Sequence, residues 1–489
     1  MRWTVQQVAG ALGVSPPQGL DALVRLAGVS IDSRTCRSGE LFFAIRGPRH
    51  DGHTFVESVL AAGALAGVVA RARAASYPEP IRAKLFEVED PLAALQQLAR
   101  SFCRAWREVR PGRRLAAITG SAGKTTTKEI LASLLAARLR VLKSEGNLNN
   151  DFGLPLTLLR LDEEDAAVVE LGMSRRGELA RLATIAEPDL GVVTNVAPVH
   201  LEFFASVDEI AIAKRELIEG LAGAKPVAVL NADDPRVARF AENFGGRVLT
   251  YGAAPGAMFR AEKIEDRCAE GASFDFVSPA GRARLDLPLV GRHNVVNALG
   301  ALAAASEWGI GAEEARKVFA ALKPAAMRGE VLKFEDGFAV VNDAYNSNPL
   351  ALAGMVDLLA ATPGYRRRIL AAGEMLELGP ASSQLHREAG AHAAKKKIDW
   401  IFGVSGDAAE IVRGAVAAGH PPDQVQFFSA SEEAAKFLTG FIARGDLLLV
   451  KGSRGVRMER IVEALRAGYR QKNTSSPGET VEAGRRERH

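Results

Sequence analysis

The stretch LAAITGSAGKTTTKEI, residues 115–130, decides the fold of this chain. A short apolar run leads into a glycine-rich turn and then into a helix-forming segment, so it predicts a strand, a turn and a helix. At such a turn the backbone N–H groups and the helix N-terminus attract a phosphate group. The common phosphate-loop pattern G-x-x-x-x-G-K-[ST] is matched only in part, because Ile118 stands where its first glycine belongs. An ordinary glycine turn before a helix is therefore the alternative interpretation.

Apolar runs and helical patterns alternate along the rest of the chain, which predicts an α/β protein with largely parallel sheets. We expect a small α/β domain at 1–108, a central domain with a parallel sheet at 109–325 and a Rossmann-like α/β domain at 326–470. Charge, proline and glycine come together in WREVRPGRR, residues 106–114, which is typical of an exposed linker. The polar, aperiodic end at 471–489 predicts a disordered tail.

The composition excludes several classes of protein. With 47% hydrophobic and 25% charged residues, the 489-residue chain resembles a soluble globular protein. Lys and Arg total 62 against 58 Asp and Glu, so the charge balance does not favour a nucleic-acid partner. Cys36, Cys103 and Cys268 are too widely spaced for a CxxC metal site and argue against a disulfide framework. No signal peptide, membrane-length apolar run or heptad pattern is evident, so we expect a cytoplasmic monomer without membrane insertion.

Two polar residues follow the next predicted strands of the central domain. Glu170 ends the apolar run AAVVE, and His200 follows LGVVTNV. Taken singly, a solvated glutamate and a structural histidine are the ordinary interpretations. Because the carboxyl ends of parallel strands share one edge of a sheet, the pair favours a Mg·nucleotide site beside the glycine turn. There Lys124 would reach the terminal phosphates, and Thr125 or Thr126 would meet Mg²⁺.

A lysine lies on the apolar face of a predicted helix. In SVDEIAIAKRELIEGLA, residues 206–222, Lys214 shares the stripe formed by Ile210, Leu217 and Leu221. Such a lysine either extends its ammonium to water or is held for a purpose, and a partly desolvated amine has a lowered pKa. Spacing alone favours extension to water.

Further polar residues lie at helix starts and strand ends late in the chain. Asn297 begins a helix and Asp343 ends a strand, so they either meet adenine and a ribose hydroxyl or cap a helix and begin a turn. Lys451, Ser453 and Arg454 follow another apolar strand. They either receive a carboxylate or form a basic surface loop.

The order of these elements resembles the Mur ligases, the ATP-dependent amide ligases of peptidoglycan synthesis. That family uses a shortened loop, G-x-x-G-K-T, so Ile118 agrees with it. The matching stretches are TGSAGKTTTK, NLNNDFGLP, ELGMSRRGE, TNVAPVHLE, AKRE, NADDP, GRHNVVNAL, NDAYNSNP and KGSRGVRME.

Within the family, NDAYNSNP and GEMLELGP resemble the branch that adds D-alanyl-D-alanine to UDP-N-acetylmuramoyl-tripeptide. The N-terminal stretch at 30–56 resembles a UDP-binding domain. The implied product, made through an acyl phosphate, is UDP-N-acetylmuramoyl-pentapeptide, with ADP and phosphate. The alternatives are a sibling ligase that adds a different amino acid and an ATP-binding regulatory or scaffold protein without catalysis.

The resemblance also implies roles for individual residues. ATP would be held by Gly120, Ser121, Ala122, Gly123, Lys124, Thr125, Thr126, Asn297, Arg328 and Asp343. Two Mg²⁺ ions would be held by Thr125, Glu170, His200 and Lys214, the last carbamylated by CO₂. The catalytic residues would be Lys124, His200 and Lys214. The UDP-linked peptide and the dipeptide would be met by Ser33, Arg34, Asn149, Asn150, Tyr345, Asn346, Asn348, Lys451 and Ser453.

Overall fold

The computed structural model describes residues 3–47 and 50–472. Its N-terminal part alternates strands with helices. These elements are α1 (Val5–Leu12), β1 (Gly28–Ser30), β2 (Glu40–Phe43), α2 (Val56–Ala61), β3 (Ala66–Ala70), α3 (Arg71–Ala74), α4 (Glu79–Arg82), β4 (Leu85–Val88) and α5 (Pro91–Val109). Strands β1 to β4 pair in parallel, in chain order, and form a small sheet.

The middle of the chain forms a larger sheet. Its elements are β5 (Arg114–Thr119), α6 (Lys124–Ala136), β6 (Val141–Lys143), α7 (Gly153–Leu158), β7 (Ala166–Glu170), α8 (Glu178–Ala186), β8 (Leu190–Val193), α9 (Val207–Glu219), β9 (Val227–Asn231), α10 (Pro235–Ala238), β10 (Arg247–Gly252), β11 (Phe259–Asp266), β12 (Ala272–Ser278), β13 (Gly281–Leu287), α11 (Arg292–Ala305) and α12 (Ala312–Ala321). The strand order is β13-β12-β11-β10-β9-β8-β5-β7-β6. Neighbours are parallel from β6 to β11, and β12 and β13 are antiparallel additions.

Alternate residues of β5 face two different cores. Ala116 and Ile118 pack with α6 and α11, whereas Leu115 and Ala117 pack with α8 and α9. A strand buried on both faces reads as a continuous apolar run, which is why LAAIT lacks polar alternation.

Strand β5 lies at the switch point of this sheet, between β7 and β8. The chain crosses from β5 to β6 on one side and later returns to β8 on the other. Ligands of such sheets bind at the carboxyl ends of the strands beside the switch point. Because β5, β7 and β8 end at Thr119, Glu170 and Val193, the residues that follow them converge there.

The C-terminal part forms a separate, mostly parallel sheet. Its elements are β14 (Glu330–Lys333), β15 (Ala339–Asp343), α13 (Pro349–Ala361), β16 (Arg367–Gly373), α14 (Ser382–Lys395), β17 (Trp400–Val404), α15 (Ala409–Ala417), β18 (Val425–Phe428), α16 (Ser431–Phe441), β19 (Asp446–Lys451) and α17 (Glu459–Gly468). The strand order is β14-β15-β19-β16-β17-β18, with β14 antiparallel to β15. Asp343 and Lys451 are register partners at the ends of β15 and β19.

The chain divides into two compact units. The first ends at Ala325 and also includes Glu377–Ala381, and the second begins at Ala326. Within the part of the chain that the structure describes, no helix has both the length and the apolar character to span a bilayer.

Only part of the segment at 106–114 is the exposed linker that its composition predicts: residues 108–112 are exposed, whereas Trp106 and Arg113 are buried. Its first four residues form the last turn of α5, and Trp106 is 1% exposed, with Nε1 donating to the Glu164 carbonyl at 3.0 Å. Helix α5 packs against α1 in the N-terminal part and against α7 and α8 in the central part. Trp106 is therefore buried as part of α5, although charged residues, a proline and a glycine follow it closely in sequence.

The predicted tail at 471–489 lies outside the described residues from 473 onward. Its first two residues are ordered, because Gln471 forms a β-bridge with Phe334 and the Lys472 N–H donates to the Lys333 carbonyl at 2.8 Å.

Candidate active site

The loop after β5 needs both of its glycines. Gly120 and Gly123 have φ values of 148° and 84°, in the region that side chains rarely adopt. A Cβ at Gly120 would collide with Thr194, and a Cβ at Gly123 would collide with the Asn297 amide. The bare backbone of the loop, followed at once by α6 from Lys124, is therefore open to a phosphate.

The polypeptide after β8 holds this loop in shape. The Asn195 carbonyl accepts the Ser121 N–H at 2.9 Å, and the Asn195 side chain accepts the Ala122 N–H at 2.9 Å and donates to the Ala122 carbonyl at 3.1 Å. The Thr194 hydroxyl donates to the same carbonyl at 2.6 Å. The loop shape is thus imposed by its neighbour as well as by its own glycines.

Glu170 is a buried carboxylate with two hydrogen-bond donors, so the solvated strand-end interpretation is wrong. It is 4% exposed, and the Thr125 hydroxyl donates to its Oε2 at 2.7 Å. The Asn149 amide donates to its Oε1 at 2.9 Å. Lys124, beside Thr125, donates its Nζ to the Gly120 carbonyl at 2.7 Å. The structure therefore brings the phosphate-loop residues and the acidic group together.

Lys214 is buried and does not extend to water. It is 2% exposed on α9, and no hydrogen bond or ion pair of its ammonium is formed within residues 3–47 and 50–472. Burial, with a smaller contribution from the charge of Lys124, holds the pKa of Lys214 well below its ordinary value. A lowered pKa favours the neutral form of an amine, which is its nucleophilic form.

His200 is fixed by an acidic residue that lies far away in sequence. Its backbone is left-handed, with φ 56°, and its Nδ1 is hydrogen-bonded to the Glu377 carboxylate. This hydrogen bond is the main reason that the pKa of Glu377 lies below its usual range. Among the described residues His200 makes no hydrogen bond to Thr125, Glu170 or Lys214.

Asn297 does not cap its helix, since Gly291 is the N-cap of α11 and makes no side-chain cap. Its Nδ2 instead donates to Asn294 Oδ1 at 2.9 Å, and Asn294 donates to the Val290 carbonyl at 2.8 Å. These two hydrogen bonds leave the side-chain oxygen of Asn297 beside Gly123, at the edge of the phosphate loop.

In the second unit, Lys451 is 3% exposed and is not part of a surface loop. Its Nζ donates to Asp343 Oδ2 at 2.5 Å and to the Asn346 carbonyl at 2.9 Å. The Arg328 guanidinium lies over the Tyr345 ring, 4.0 Å from its centroid.

Two other residues predicted to meet substrate serve the local structure here. Asn348 caps α13 by accepting the Ala351 N–H at 2.9 Å. Ser453 is 4% exposed, and its hydroxyl accepts the Leu376 N–H at 2.9 Å.

The residues predicted to meet the UDP-linked substrate lie in turns. Arg34, next to Ser33, is largely exposed and makes a bidentate pair with Asp32 at 2.9 and 2.7 Å. Hydrogen bonds from Arg34 lower the pKa of Asp32 to about 2. Asn150 accepts the N–H groups of the first turn of α7, the closer at 2.9 Å.

Two residues of this site are missing from the sequence interpretation. Asn195 follows Thr194 in a predicted strand end, so its position at the ligand edge was a usable signal. Glu377 is separated from His200 by 177 residues, and no local pattern joins them.

Comparisons with known proteins match each of the three regions of the chain. The family models that match are "Mur ligase family, catalytic domain" at residues 25–103, "Mur ligase middle domain" at 118–305 and "Mur ligase, glutamate ligase domain" at 327–454. The chain belongs to the Mur ligase family. A Bacillus subtilis (strain 168) relative is 35% identical over 440 residues, which cover 90% of this chain and 93% of that protein. Its name is UDP-N-acetylmuramoyl-tripeptide--D-alanyl-D-alanine ligase.

Solved structures of MurF are also similar to this chain. A crystal structure of MurF from Acinetobacter baumannii has a TM-score of 0.83 and 30% identity, covering 96% of this chain and 99% of that chain. MurF ligase from Thermotoga maritima, solved in complex with ADP, has a TM-score of 0.79 and 28% identity, covering 90% of this chain and 97% of that chain. The predicted α/β fold with its N-terminal, central and C-terminal regions is confirmed.

Proposed function

We propose that this chain is an ATP-dependent amide ligase that adds D-alanyl-D-alanine to UDP-N-acetylmuramoyl-tripeptide in peptidoglycan synthesis. The relatives' shared name supports the substrates. The observation that carries the chemistry is the buried, unpaired Lys214 near a phosphate loop whose Thr125 contacts the buried Glu170. A scaffold protein has no need of a buried lysine without a counter-ion.

The residues of the first unit fit ATP and Mg²⁺. The glycine positions leave space that a Cβ would fill, and Lys124 reaches over the loop, as required for β- and γ-phosphates. The Thr125 hydroxyl and the Glu170 carboxylate are the oxygen donors that Mg²⁺ prefers. When bound, Mg²⁺ neutralises charge on the phosphates. We assign Asn297 of this unit to the adenosine part of ATP. In the second unit, we assign Arg328 and Asp343 to nucleotide binding.

Lys214 fits the carbamate role. Burial lowers the pKa of Lys214 and so favours the neutral amine, whose Nζ would attack the carbon of CO₂ and release one proton, converting an unpaired amine into an anion. That anion, with His200, would hold a second Mg²⁺. The same change removes the cost of burying an amine without a partner.

In the reaction, the terminal carboxylate of the tripeptide attacks the γ-phosphorus of ATP, and the bond to the ADP oxygen breaks. The amine of D-alanyl-D-alanine then attacks the carbonyl carbon of the acyl phosphate, and phosphate leaves as the amine loses its proton. Lys124 offsets charge on the transferred phosphoryl group. Asn195, which accepts the Ser121 and Ala122 N–H groups, keeps the loop in shape. A cytoplasmic monomer is the form that we propose.

Incubation of the purified protein with UDP-N-acetylmuramoyl-tripeptide and ATP tests the proposal. ADP release should require the tripeptide and should be much faster with D-alanyl-D-alanine than with any single amino acid. ADP release with a single amino acid and not with the dipeptide would indicate a sibling ligase. ATP binding without ADP release under any of these conditions would indicate a regulatory or scaffold protein.

A further inference from the structure

Lys451 and Asp343 form a buried ion pair at one edge of the C-terminal sheet. They end the adjacent parallel strands β19 and β15 and are register partners, although 108 residues separate them in sequence. Nζ lies 2.5 Å from Asp343 Oδ2, and the side chains are only 4% and 16% exposed. The fold itself therefore places these two groups side by side.

The ammonium of Lys451 is occupied by the protein. Besides Asp343, it donates to the Asn346 carbonyl at 2.9 Å, which closes the turn after β15. A lysine has three donors and no acceptor, so two of the three are already used, by the half-buried Asp343 carboxylate and by the carbonyl of the exposed Asn346. A charge removed from water in this way is stabilised only by such partners, and breaking the pair leaves the other charge buried alone.

The pair leaves one carboxylate oxygen of Asp343 available. Oδ2 accepts from Lys451, whereas Oδ1 accepts no hydrogen bond from residues 3–47 or 50–472. The hydrogen bond to one oxygen fixes the direction of the other oxygen. The carboxylate is therefore preorganised to accept a hydrogen bond from a hydroxyl group.

We infer that Lys451 is a positioning residue for nucleotide binding, which orients Asp343 toward the ribose hydroxyls and does not contact the peptide substrates. This inference rests on the proposed function in one respect, the contact between Asp343 and ATP. It replaces the earlier expectation that Lys451 receives a substrate carboxylate.

The test compares Lys451→Met with wild type and with Lys436→Met, a control on the exposed face of α16. For each protein we measure the affinity for ADP and for 2′,3′-dideoxy-ADP, which lacks the hydroxyls. Wild type and the control should prefer ADP by about tenfold, the value of a good hydrogen bond to a charged group. In Lys451→Met this preference should fall below about twofold, with dideoxy-ADP affinity nearly unchanged. A merely structural role would weaken both ligands equally and would overturn the inference.

A second readout separates the two roles directly. At saturating ATP, the KM for D-alanyl-D-alanine should be unchanged in Lys451→Met, and a large increase in it would overturn the inference. If Lys451→Met does not fold, Lys451→Gln carries the test, because it keeps a donor but removes the charge; equal weakening of ADP and dideoxy-ADP binding would then contradict the inference. The ADP assay needs neither dipeptide nor turnover, so its failure is distinguishable from a failure of the proposed ligase reaction.

Discussion

Two buried lysines in this chain have opposite surroundings. Lys451 has a carboxylate and a carbonyl as partners, whereas Lys214 has none among the residues that the structure describes. Burial of an amine without a partner lowers its pKa and destabilises the fold. Under the proposed function Lys214 serves the chemistry, so its replacement should separate stability from activity.

We expect Lys214→Met to abolish ligase turnover and to raise the melting temperature at pH 7 by about 2 to 6 °C. The folded-state pKa of Lys214 is lowered, so the unfolded chain binds more protons between that pKa and 10.5. Wild-type stability therefore rises with pH through this window, and the advantage of the variant shrinks as pH approaches 10.5. Thermal melting at several pH values, in buffer without CO₂ or nucleotide, measures the difference. A variant that is less stable at pH 7 would contradict the assignment of a buried neutral amine.

At the scale of elements, the phosphate loop depends on the segment that follows β8. Asn195 makes three hydrogen bonds to it, two of them through its side chain. Removing that side chain leaves the Ala122 N–H without its acceptor and lets the loop sample other shapes.

Asn195→Ala should therefore raise the KM for ATP by about tenfold or more, because ordering the loop on binding then costs part of the binding free energy. The KM for the dipeptide at saturating ATP should stay the same. Asn195→Asp is the matched variant: it keeps the acceptor for the Ala122 N–H but loses the donor to the Ala122 carbonyl, so an intermediate effect is expected. Steady-state kinetics with each substrate varied in turn measures both constants, and an unchanged ATP constant in both variants would contradict this role.

Helix α5 shows why composition alone does not predict which residues of the segment at 106–114 are buried. Its apolar face is shared between the N-terminal and central parts, and its end carries Trp106, Arg107 and Val109 before the exposed residues 110–112. Trp106→Ala should lower the free energy of unfolding by about 3–5 kcal/mol. Val109→Ala, in the same turn but 64% exposed, should change it by less than about 0.5 kcal/mol. Urea unfolding measures both, and equal effects would contradict the burial of Trp106.

Over the whole molecule, sequence predicts most reliably what is encoded by neighbouring residues. The strand, turn and helix at 115–130 and the apolar stripe bearing Lys214 are local patterns, and the structure confirms both. The contacts that complete the site join distant segments, such as His200 with Glu377 and Asp343 with Lys451. Spacing along the chain carries no signal for such pairs. Whether Lys214 is exposed or buried likewise depends on tertiary packing, which the apolar stripe alone does not reveal.

Nucleotide binding should stabilise the whole protein. A ligand that binds only the folded chain stabilises it by about 2.7 kcal/mol at a hundredfold excess over Kd. ADP with Mg²⁺ should therefore raise the melting temperature by about 3 °C. Chelation of the metal should remove most of this shift if Thr125 and Glu170 hold Mg²⁺ against the phosphates.

The variants distinguish this effect from nonspecific stabilisation. Lys124→Ala should show almost no shift with ADP and Mg²⁺, because the phosphates lose their cation, whereas Lys436→Ala should respond as wild type does. D-Alanyl-D-alanine without nucleotide should not reproduce the shift. A full ADP shift in Lys124→Ala would place the phosphates elsewhere, and a shift that survives chelation would argue against the metal role of Thr125 and Glu170.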